Sequence, residues 1–347
     1  MVRLKDIAEI TGFSITTVSR ILNNDKTLRT SQNTKNIIKT VAEATGYKTL
    51  NEKKKERYKK KNSLSMVVGI IEMSSTNEVI KDPYYIYLKE FLEKVCRKNT
   101  IKSLSLTFDL KRQKYVNNDI SKLKVNGLIA IGRFSKLEVK AMEKLSKNIV
   151  FLDTAYPNGE YSSIAPDLEL GVKNGLDYLF EKGHRKIYFI GPTYAPNFFT
   201  NLALEVRRES FIKYMKEKKM YLDSLLLECE RSSESAEQML REYLLKGGSL
   251  PTAIFTVNES VAIGVVKVLR EFGLNIPKDV SILSYNNTIY SSLVSPALSS
   301  VDINCDYMAQ LAIDLVVKQN QIKNFSPIKI LCSSIISEKN SIKALKG

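Results

Sequence analysis

The sequence predicts an α/β protein in which a small three-helix headpiece, of helix-turn-helix layout, precedes a larger domain of two doubly wound parallel-sheet lobes. Three observations predict it. Apolar residues recur at helical spacing within residues 4–46, positive charge concentrates in residues 1–62, and short apolar runs then alternate with helical stretches. A chain of 347 residues, 44% of them hydrophobic, is long enough to bury several cores.

The headpiece prediction rests on helical periodicity and helix-end signals. We expect three helices: residues 4–11 up to Gly12, a second capped by Ser14, and a third that follows Ser31 or Thr34 and ends near Gly46. In the second helix, Val18, Ile21 and Leu22 form the buried stripe. Two short helices joined by a tight turn, with a third closing the core, form the helix-turn-helix layout.

Charge is distributed unevenly along the chain. Residues 1–62 contain 15 Lys/Arg and 6 Asp/Glu, a net +9 out of the +16 of the whole chain. Within them, residues 51–62 (NEKKKERYKKKN) hold seven Lys/Arg and no aliphatic residue, which predicts a linker. Charge alone leaves two interpretations open, a surface for a polyanion or a solvated basic tail.

Beyond the linker, short apolar runs that alternate with helical stretches predict buried strands. Each run is short and apolar, as expected for strands covered on both faces of a parallel sheet. The runs are MVVGII (66–71), GLIAIG (127–132), IVFLD (149–153), KIYFIG (186–191), AIFTV (253–257) and SILSY (281–285).

Several classes of protein and site are disfavoured by what the sequence lacks. No apolar run has the roughly 18–20 residues of a membrane span, and the N-terminus lacks a signal-peptide pattern. We therefore expect a cytoplasmic protein. The four cysteines are scattered, which predicts neither a zinc site nor disulfides; they are Cys96, Cys229, Cys305 and Cys332. We expect no metal, no cofactor and no catalytic residue, with the lone His184 in a structural role.

Specific motifs lead to a family resemblance that covers nearly the whole chain. The headpiece contains L-K-D-I-A (4–8), T-T-V-S-R-I-L-N (16–23) and A-E-x-x-G-Y (42–47). The larger domain contains N-E-S-V-A-I-G (258–264) and G-L-N-I-P-x-D-V-S-I-L-S-Y (273–285). With these motifs the sequence resembles the LacI/GalR family of bacterial repressors. Within the family, D-P-Y-Y (82–85) is similar to the galactose and evolved-β-galactosidase repressor branch.

The resemblance implies two lobes like those of periplasmic sugar-binding proteins, joined by three crossovers, with an effector in the cleft between them. The expected domains are a helix-turn-helix domain (1–50), a basic linker or hinge (51–63) and an effector-binding and dimerisation domain (64–347). Lobe 1 is expected to comprise about 64–165 and 303–323, and lobe 2 about 166–301 and 326–343.

The second helix of the headpiece is the expected recognition helix, with its N-terminal side chains over the base edges of the major groove. Ile15, Thr16 and Arg20 suit base contacts, since Arg pairs bidentately with guanine and methyl groups contact thymine. Thr17, Ser19 and Asn23 suit phosphate contacts or, alternatively, helix capping. The remaining expected DNA-binding residues are Lys5, Ser14, Arg29, Lys53, Lys54, Lys55, Arg57 and Tyr58.

The linker departs from the family pattern. The family's linker carries a leucine that wedges into the minor groove, whereas here Tyr58 is the one bulky apolar residue. We therefore expect the lysine-rich run, which continues through Lys59, Lys60 and Lys61, to contact phosphates with a strong dependence on salt.

The expected effector site gathers polar residues at strand ends, where doubly wound sheets bind ligands. Asp153, Asn258 and Asn286 each follow an apolar run, and by resemblance they and Arg207 match hydroxyl-binding positions of the family. Tyr84 or Tyr85 falls where an aromatic ring packs on the sugar, and Arg231 lies near a customary aromatic position. The family commonly has Asp where this chain has Asn286. The alternatives are turn caps for Asp153 and Asn286 and a surface position for Arg207.

Together these features predict a homodimeric, DNA-binding transcriptional regulator of a carbohydrate-utilisation operon. We expect a repressor that releases operator DNA when galactose or a galactoside binds; a corepressor role for the ligand is the alternative. Two other readings stay open: the same DNA-binding role with a non-sugar or phosphorylated effector, and a cytoplasmic sugar-binding protein or enzyme. The C-terminal stretch shows no leucine heptads, so a coiled-coil tetramer is not predicted.

Overall fold

The structure is a computed structural model, in which the chain forms two compact units, Met1–Met66 and Val67–Gly347. The residues it describes are 3–23, 25, 27–28, 30–49, 66–73, 83–109, 111–116, 124–154, 156, 159–195 and 203–345. No described helix is long and apolar enough to cross a bilayer.

The first unit contains the three predicted helices, α1 (Leu4–Thr11), α2 (Ile15–Leu22) and α3 (Gln32–Ala44). Ser14 and Ser31 cap α2 and α3 by accepting hydrogen bonds from backbone N–H groups three residues on. The helices meet in one apolar cluster, whose buried members are Ile7, Ala8, Val18, Ile21, Ile38 and Ala42.

The second unit contains two α/β lobes, of which lobe 1 comes first. Its described elements are β1 (Val67–Glu72), α4 (Tyr84–Lys98), β2 (Lys102–Asp109), β3 (Lys114–Val116), β4 (Gly127–Ile131), α5 (Lys136–Leu145), β5 (Ile149–Leu152), β6 (Ser162–Pro166), α11 (Cys305–Gln321) and β14 (Lys329–Cys332). Over the described residues, its sheet has the order β14-β6-β5-β4-β1-β2-β3, parallel except for β3.

Lobe 2 has the same layered construction. Its described elements are α6 (Leu168–Glu181), β7 (Ile187–Gly191), β8 (Tyr194–Ala195), β9 (Ala203–Leu204), α7 (Val206–Glu217), a 3-10 turn (Asp223–Leu225), β10 (Leu226–Glu228), α8 (Ser233–Leu245), β11 (Ala253–Thr256), α9 (Glu259–Glu271), β12 (Ser281–Asn286), α10 (Tyr290–Leu293), β13 (Ser299–Asp302) and β15 (Ile335–Ser337). Its described sheet has the order β10-β7-β11-β12-β13-β15, with only β15 antiparallel. The predicted fold class is confirmed.

The chain crosses between the lobes three times, as the resemblance implied. The crossings lie between β6 and α6, between β13 and α11, and between β14 and β15. One predicted boundary is wrong. Residues 326–343 were expected in lobe 2, but β14 pairs in parallel with β6 and so extends the sheet of lobe 1. The physical reason is the open edge of β6, where Ser163 N donates to the Ile328 carbonyl at 2.9 Å.

The six apolar runs that predicted strands correspond to β1, β4, β5, β7, β11 and β12. Other strands escaped prediction because they are not apolar runs. Both β6 and β13 begin with two buried serines, whose hydroxyls bind neighbouring backbone and side-chain groups: Ser162 Oγ accepts from Ile328 N at 3.1 Å, and Ser299 Oγ accepts from Lys339 N at 2.8 Å.

His184 is fully buried at the turn between α6 and β7, with Nε2 3.0 Å from the Lys343 carbonyl oxygen. Burial lowers the pKa of this imidazole. The contact ties the C-terminal segment to lobe 2 and agrees with the structural role expected for this residue.

Candidate DNA interface and effector cleft

The N-terminal end of α2 presents the residues that were predicted to contact bases. Ser14 caps the helix through a 3.2 Å bond from Thr17 N, so the first helical residues have a fixed orientation. Ile15 is 48% exposed although it is a large apolar residue, and Thr16 is also exposed. An isoleucine held at the surface at this end of the helix suits an apolar contact with a base edge.

Arg20 lies one turn further along α2 and is held by two residues that follow the helix. Its Nε donates to Asp25 Oδ2 and its Nη2 donates to Thr27 Oγ, both at 2.7 Å. Hydrogen bonds from Thr27, and then the one from Arg20, lower the pKa of Asp25 to about 2. The guanidinium is therefore oriented before any DNA is bound. Sequence patterns gave no sign of Asp25 or Thr27 as its partners.

Of the residues assigned to phosphate contacts, some form hydrogen bonds at the helix ends and others are exposed. Asn23 Nδ2 donates to the Ser19 carbonyl at 2.9 Å, and Thr17 Oγ lies 2.9 Å from Ser14 Oγ, so these side chains also serve as helix caps. Lys5 is exposed, 3.7 Å from Glu9. Their DNA contacts stay predictions. The other predicted positions, Arg29, Lys53, Lys54, Lys55, Arg57 and Tyr58, lie outside the described residues.

In the second unit, parallel pairing brings the predicted cleft residues of lobe 2 to one edge. The register that pairs Phe255 with Leu283 places Asn258, two residues after β11, beside Asn286, the last residue of β12. Both are buried. Asn258 Oδ1 accepts from Val261 N at 3.0 Å and caps α9, while Asn286 has φ +95°, a sharp turn that asparagine tolerates.

Asp153 occupies the equivalent place in lobe 1, directly after β5. Its φ is +76°, and its Oδ1 accepts a 2.6 Å bond from the hydroxyl of Tyr84. Burial raises the pKa of Asp153, opposed by hydrogen bonds from Tyr84 and Tyr85 and by the charges of Arg133 and Arg207. Tyr84 is buried, so its hydroxyl positions Asp153, whereas the partly buried Tyr85 is the better placed to contact a ligand.

Lobe 2 contains a buried ion-pair cluster formed by Glu205, Arg207 and Arg231, which we call the Glu205 cluster. Glu205 Oε1 accepts from Arg207 Nε at 2.8 Å, and Oε2 accepts a short bond from Arg231 Nη2. The Glu205 side chain is 2% exposed, against 11% for Arg207 and 19% for Arg231. Burial would raise the pKa of Glu205, but the two guanidinium groups hold it well below its usual range.

Arg207 has further contacts that fix its plane. Its Nη1 donates to the Val257 carbonyl at 2.8 Å, and its guanidinium lies 5.3 Å from the ring centroid of Tyr285. The alternative of a surface arginine is therefore wrong for Arg207. Its charge also acts on Asp153 in lobe 1, where it lowers the pKa against the effect of burial.

Sequence reasoning missed Glu205 and two further sets of polar contacts in lobe 2, around the buried Glu259 and the half-buried Lys339. Glu259 accepts hydrogen bonds from Thr288 N and Thr288 Oγ at 2.7 and 2.5 Å. Lys339 donates to Ser291 Oγ at 2.9 Å and to the Leu298 carbonyl at 3.1 Å. The only sequence signal for Glu205 is an acidic residue two positions before Arg207, which is too common a pattern to single it out.

Across the described residues, no group of three or more His, Cys, Asp or Glu side chains is arranged to hold a metal ion. The cleft instead gathers carboxylates, guanidinium groups and amides, which are the partners of hydroxyl groups.

Comparison with known proteins matches two parts of the chain to described families. Residues 3–49 match the family described as bacterial regulatory proteins, lacI family, and residues 176–339 match the periplasmic binding protein-like domain. The chain is 31% identical to the HTH-type transcriptional regulator GalR of Streptococcus thermophilus over 348 aligned residues, which cover 99% of this chain and 100% of that protein. It belongs to the LacI family. It is a DNA-binding transcriptional regulator, as are the relatives it matches.

Other LacI-family members show the same full-length likeness. The regulator GanR of Bacillus subtilis (strain 168) is 32% identical, with 93% of this chain and 94% of that protein covered. Among solved structures, the Lac repressor dimer bound to operator and the anti-inducer ONPF aligns with a TM-score of 0.62 at 20% identity, covering 99% of both chains. The CelR–cellobiose complex aligns with a TM-score of 0.65 at 17% identity, covering 98% of this chain and 100% of that one. These structures share the fold.

We predict that Arg20→Ala weakens binding to the specific operator by about 1–3 kcal/mol and weakens non-specific DNA binding much less, because the guanidinium is assigned to a base edge and not to a phosphate. Arg20→Lys keeps the charge but not the planar fork, so it should also lose discrimination. Fluorescence anisotropy with operator and scrambled duplexes at one salt concentration measures both. Equal losses on the two duplexes would assign Arg20 to phosphate contacts.

We predict that Glu205→Gln lowers the free energy of unfolding by about 3 kcal/mol at pH 7, because it leaves two partly buried guanidinium groups without their counter-charge. The folded-state pKa of Glu205 is depressed, so the difference is full above the ordinary value of 4.5 and shrinks as the pH falls below it. Urea unfolding at several pH values measures it. The matched control is Glu209→Gln on the exposed face of α7, where a change within about 0.5 kcal/mol is expected. Equal effects of the two substitutions would contradict the prediction.

Proposed function

We propose that this chain is a repressor of a carbohydrate-utilisation operon that binds operator DNA as a homodimer and releases it when galactose or a galactoside enters the cleft. The observation that carries the proposal is the placement of Asp153 directly after β5 in lobe 1 and of Arg207, held in plane by Glu205 and the Val257 carbonyl, in lobe 2. A ligand held by both residues makes more contacts when the lobes are closed. It therefore shifts the equilibrium towards that state.

The chemistry of the cleft suits vicinal hydroxyl groups. Asp153 offers carboxylate oxygens, and Arg207 offers guanidinium N–H groups in a plane fixed by Glu205 and Val257. Asn258 and Asn286 add amide groups on the adjacent strand ends. With its Oδ1 capping α9, Asn258 would use Nδ2 towards a ligand. Tyr85 would supply the apolar face that a sugar ring requires.

The names of relatives favour a sugar over other effectors. The regulators GalR, GanR and LacR (from Lactobacillus helveticus, 30% identical) belong to this group, and solved structures of the same fold contain cellobiose or ribose. The identity of the sugar as galactose or a galactoside is the more specific part of the proposal. It rests on these names together with D-P-Y-Y (82–85).

Operator binding would follow from a two-state dimer in which lobe closure sets the spacing of the two headpieces. One spacing matches two half-sites on the operator, and the effector favours the other. An effector that stabilised the DNA-binding state would instead be a corepressor. The experiment below therefore measures whether the effector weakens or strengthens operator binding.

The experiment is a gel-shift titration of the full chain on the upstream DNA of its own operon, alone and with galactose, methyl β-galactoside, lactose or galactose 6-phosphate. We predict a specific shift at or below about 100 nM protein in moderate salt. A galactose or galactoside should weaken it about 5- to 150-fold. Arg20→Ala, which leaves the cleft intact, should weaken the specific shift by the same amount, about 1–3 kcal/mol, and still bind the sugar.

Each other outcome has a definite meaning. The absence of a specific shift would refute the regulatory role on this operon. A shift that responds to none of the sugars would refute the galactoside effector, and a shift strengthened by sugar would replace repression relief with corepression.

A further inference from the structure

The described sheet of lobe 2 ends at β10, which has a neighbouring strand on one side only. That neighbour is β7, and the two strands pair in parallel over Leu226–Glu228. Leu226 and Leu227 are half-buried and Glu228 is exposed, so solvent reaches this edge of the sheet. An open edge is a template on which an extended chain can add one more strand.

The backbone groups of Glu228 point away from the sheet. Cys229 N, one residue further along, donates to the Gly191 carbonyl of β7 at 3.4 Å. Because successive residues of a strand direct their N–H and C=O groups to opposite sides, those of Glu228 face outwards. Leu226 N also lies on the outer side, but it already donates to the Asp223 carbonyl. Glu228 therefore offers an incoming chain one donor and one acceptor.

A groove runs along each face of this edge. The chain moves outwards from β7 to β10 through α7 and back from β10 to β11 through α8, so right-handed crossovers place the two helices on opposite faces. The groove beside α7 has a volume of about 250 Å³ and is bordered by Asp223 and Glu228. The groove beside α8 has a volume of about 430 Å³ and is bordered by Leu227, Met239 and Tyr243. The side chains of an added strand would enter the two grooves alternately.

The edge is acidic although the chain as a whole is basic. Residues 222–230 (LDSLLLECE) contain Asp223, Glu228 and Glu230 and no Lys or Arg, in a chain of net charge +16. A basic residue does border the groove beside α7, but this residue, Arg208, pairs with Glu209 at 3.1 Å. The groove beside α7 therefore favours cationic side chains.

The groove beside α8 and the acidic edge together select the kind of strand that can be added. In this groove Lys246 accompanies Glu242, so its charges nearly cancel, and the half-buried Leu227, Met239 and Tyr243 favour apolar side chains. A second copy of β10 would bring carboxylates opposite carboxylates, which destabilises a pair of strands. A strand in which basic and apolar residues alternate fits both grooves.

We propose that β10 is a docking strand for an extended segment of another protein in which basic and apolar residues alternate. The backbone of this segment bonds to the N–H and carbonyl of Glu228. Its basic side chains enter the groove beside α7, and its apolar side chains enter the groove beside α8. None of the residues assigned to the operator or the effector belongs to this edge, so the docking strand serves a third kind of partner.

Fluorescence anisotropy of the full chain with a labelled hexapeptide, Lys-Val-Lys-Val-Lys-Val, tests the proposal. The comparison peptides are Glu-Val-Glu-Val-Glu-Val, the block peptide Lys-Lys-Lys-Val-Val-Val, and two forms of the alternating basic peptide that are N-methylated at the odd or at the even residues. The alternating basic peptide should bind on the order of tenfold more tightly than the acidic and block peptides. At least one N-methylated form should bind on the order of tenfold more weakly than its parent, because it lacks the donors of one edge.

Two substitutions at Glu228 separate the charge of the edge from its backbone. Glu228→Lys should weaken binding of the basic peptide on the order of tenfold and strengthen binding of the acidic one. Glu228→Pro removes the outward N–H but none of the bonds to β7, so it should also weaken binding of the basic peptide. The matched control is Glu181→Lys, the same charge change at an exposed residue that ends α6, which should leave both affinities within about twofold. Circular dichroism and operator binding establish that each variant is folded.

Three results would overturn the proposal. If the alternating basic peptide has no preference over the acidic and block peptides, or if neither N-methylated form is weakened, the acidic residues only protect an open edge from aggregation. If Glu228→Lys and Glu181→Lys have equal effects on the basic peptide, it is attracted by the charge of the whole lobe. If the wild type without peptide sediments as an assembly larger than a dimer, and Glu228→Pro abolishes that assembly, the occupant of the edge is a second copy of this chain.

Discussion

The arrangement of the cleft depends on one buried carboxylate. Glu205 is almost inaccessible to solvent, and burying a lone carboxylate costs several kcal/mol, so it requires compensating charge. Arg207 and Arg231 provide it from two sides, and this requirement fixes both guanidinium groups. Residues from α7 and from the loop after β10 are thereby joined in one charged cluster.

Through Arg207 this constraint extends towards the crossovers between the lobes. The guanidinium faces Tyr285, which is fully buried and whose hydroxyl lies 3.4 Å from the Leu168 carbonyl at the start of α6. A Cβ on Gly171 would come within 2.0 Å of that hydroxyl and 3.0 Å of Ser334 Oγ, so only glycine allows this approach. Ser334 lies in the crossing between β14 and β15. This close packing therefore connects the surroundings of Arg207 with the crossing between β14 and β15.

Much of this fold follows from sequence patterns, because an apolar run buried on both faces, such as Ile149–Leu152, has few alternatives to a strand. The exceptions have a physical cause. Ser162 and Ser299 are as buried as their apolar neighbours, but hydrogen bonds and not hydrophobicity satisfy them, so composition does not identify their strands. Likewise, β14 joins lobe 1 through an edge that only the assembled sheet provides.

The residues of the candidate sites also differ in whether the sequence could place them. Asp153, Asn258 and Asn286 could be placed from the sequence because parallel topology brings strand ends to one edge. By contrast, tertiary geometry decides two of the ion pairs. Glu205 pairs with Arg231, 26 residues away, and Asp25 pairs with Arg20. Local charge patterns around these residues do not distinguish a buried pair from a solvated one.

In the proposed mechanism the protein has two states, of which one binds the operator more tightly and the other binds the effector more tightly. Thermodynamic linkage requires such coupling to be reciprocal. The most direct measurement is therefore the dissociation constant of lactose for the free protein and for its operator complex, alongside that of the operator with and without lactose. The account predicts that both constants change by the same factor, about 5- to 150-fold. A lactose affinity that is identical with and without operator would contradict it.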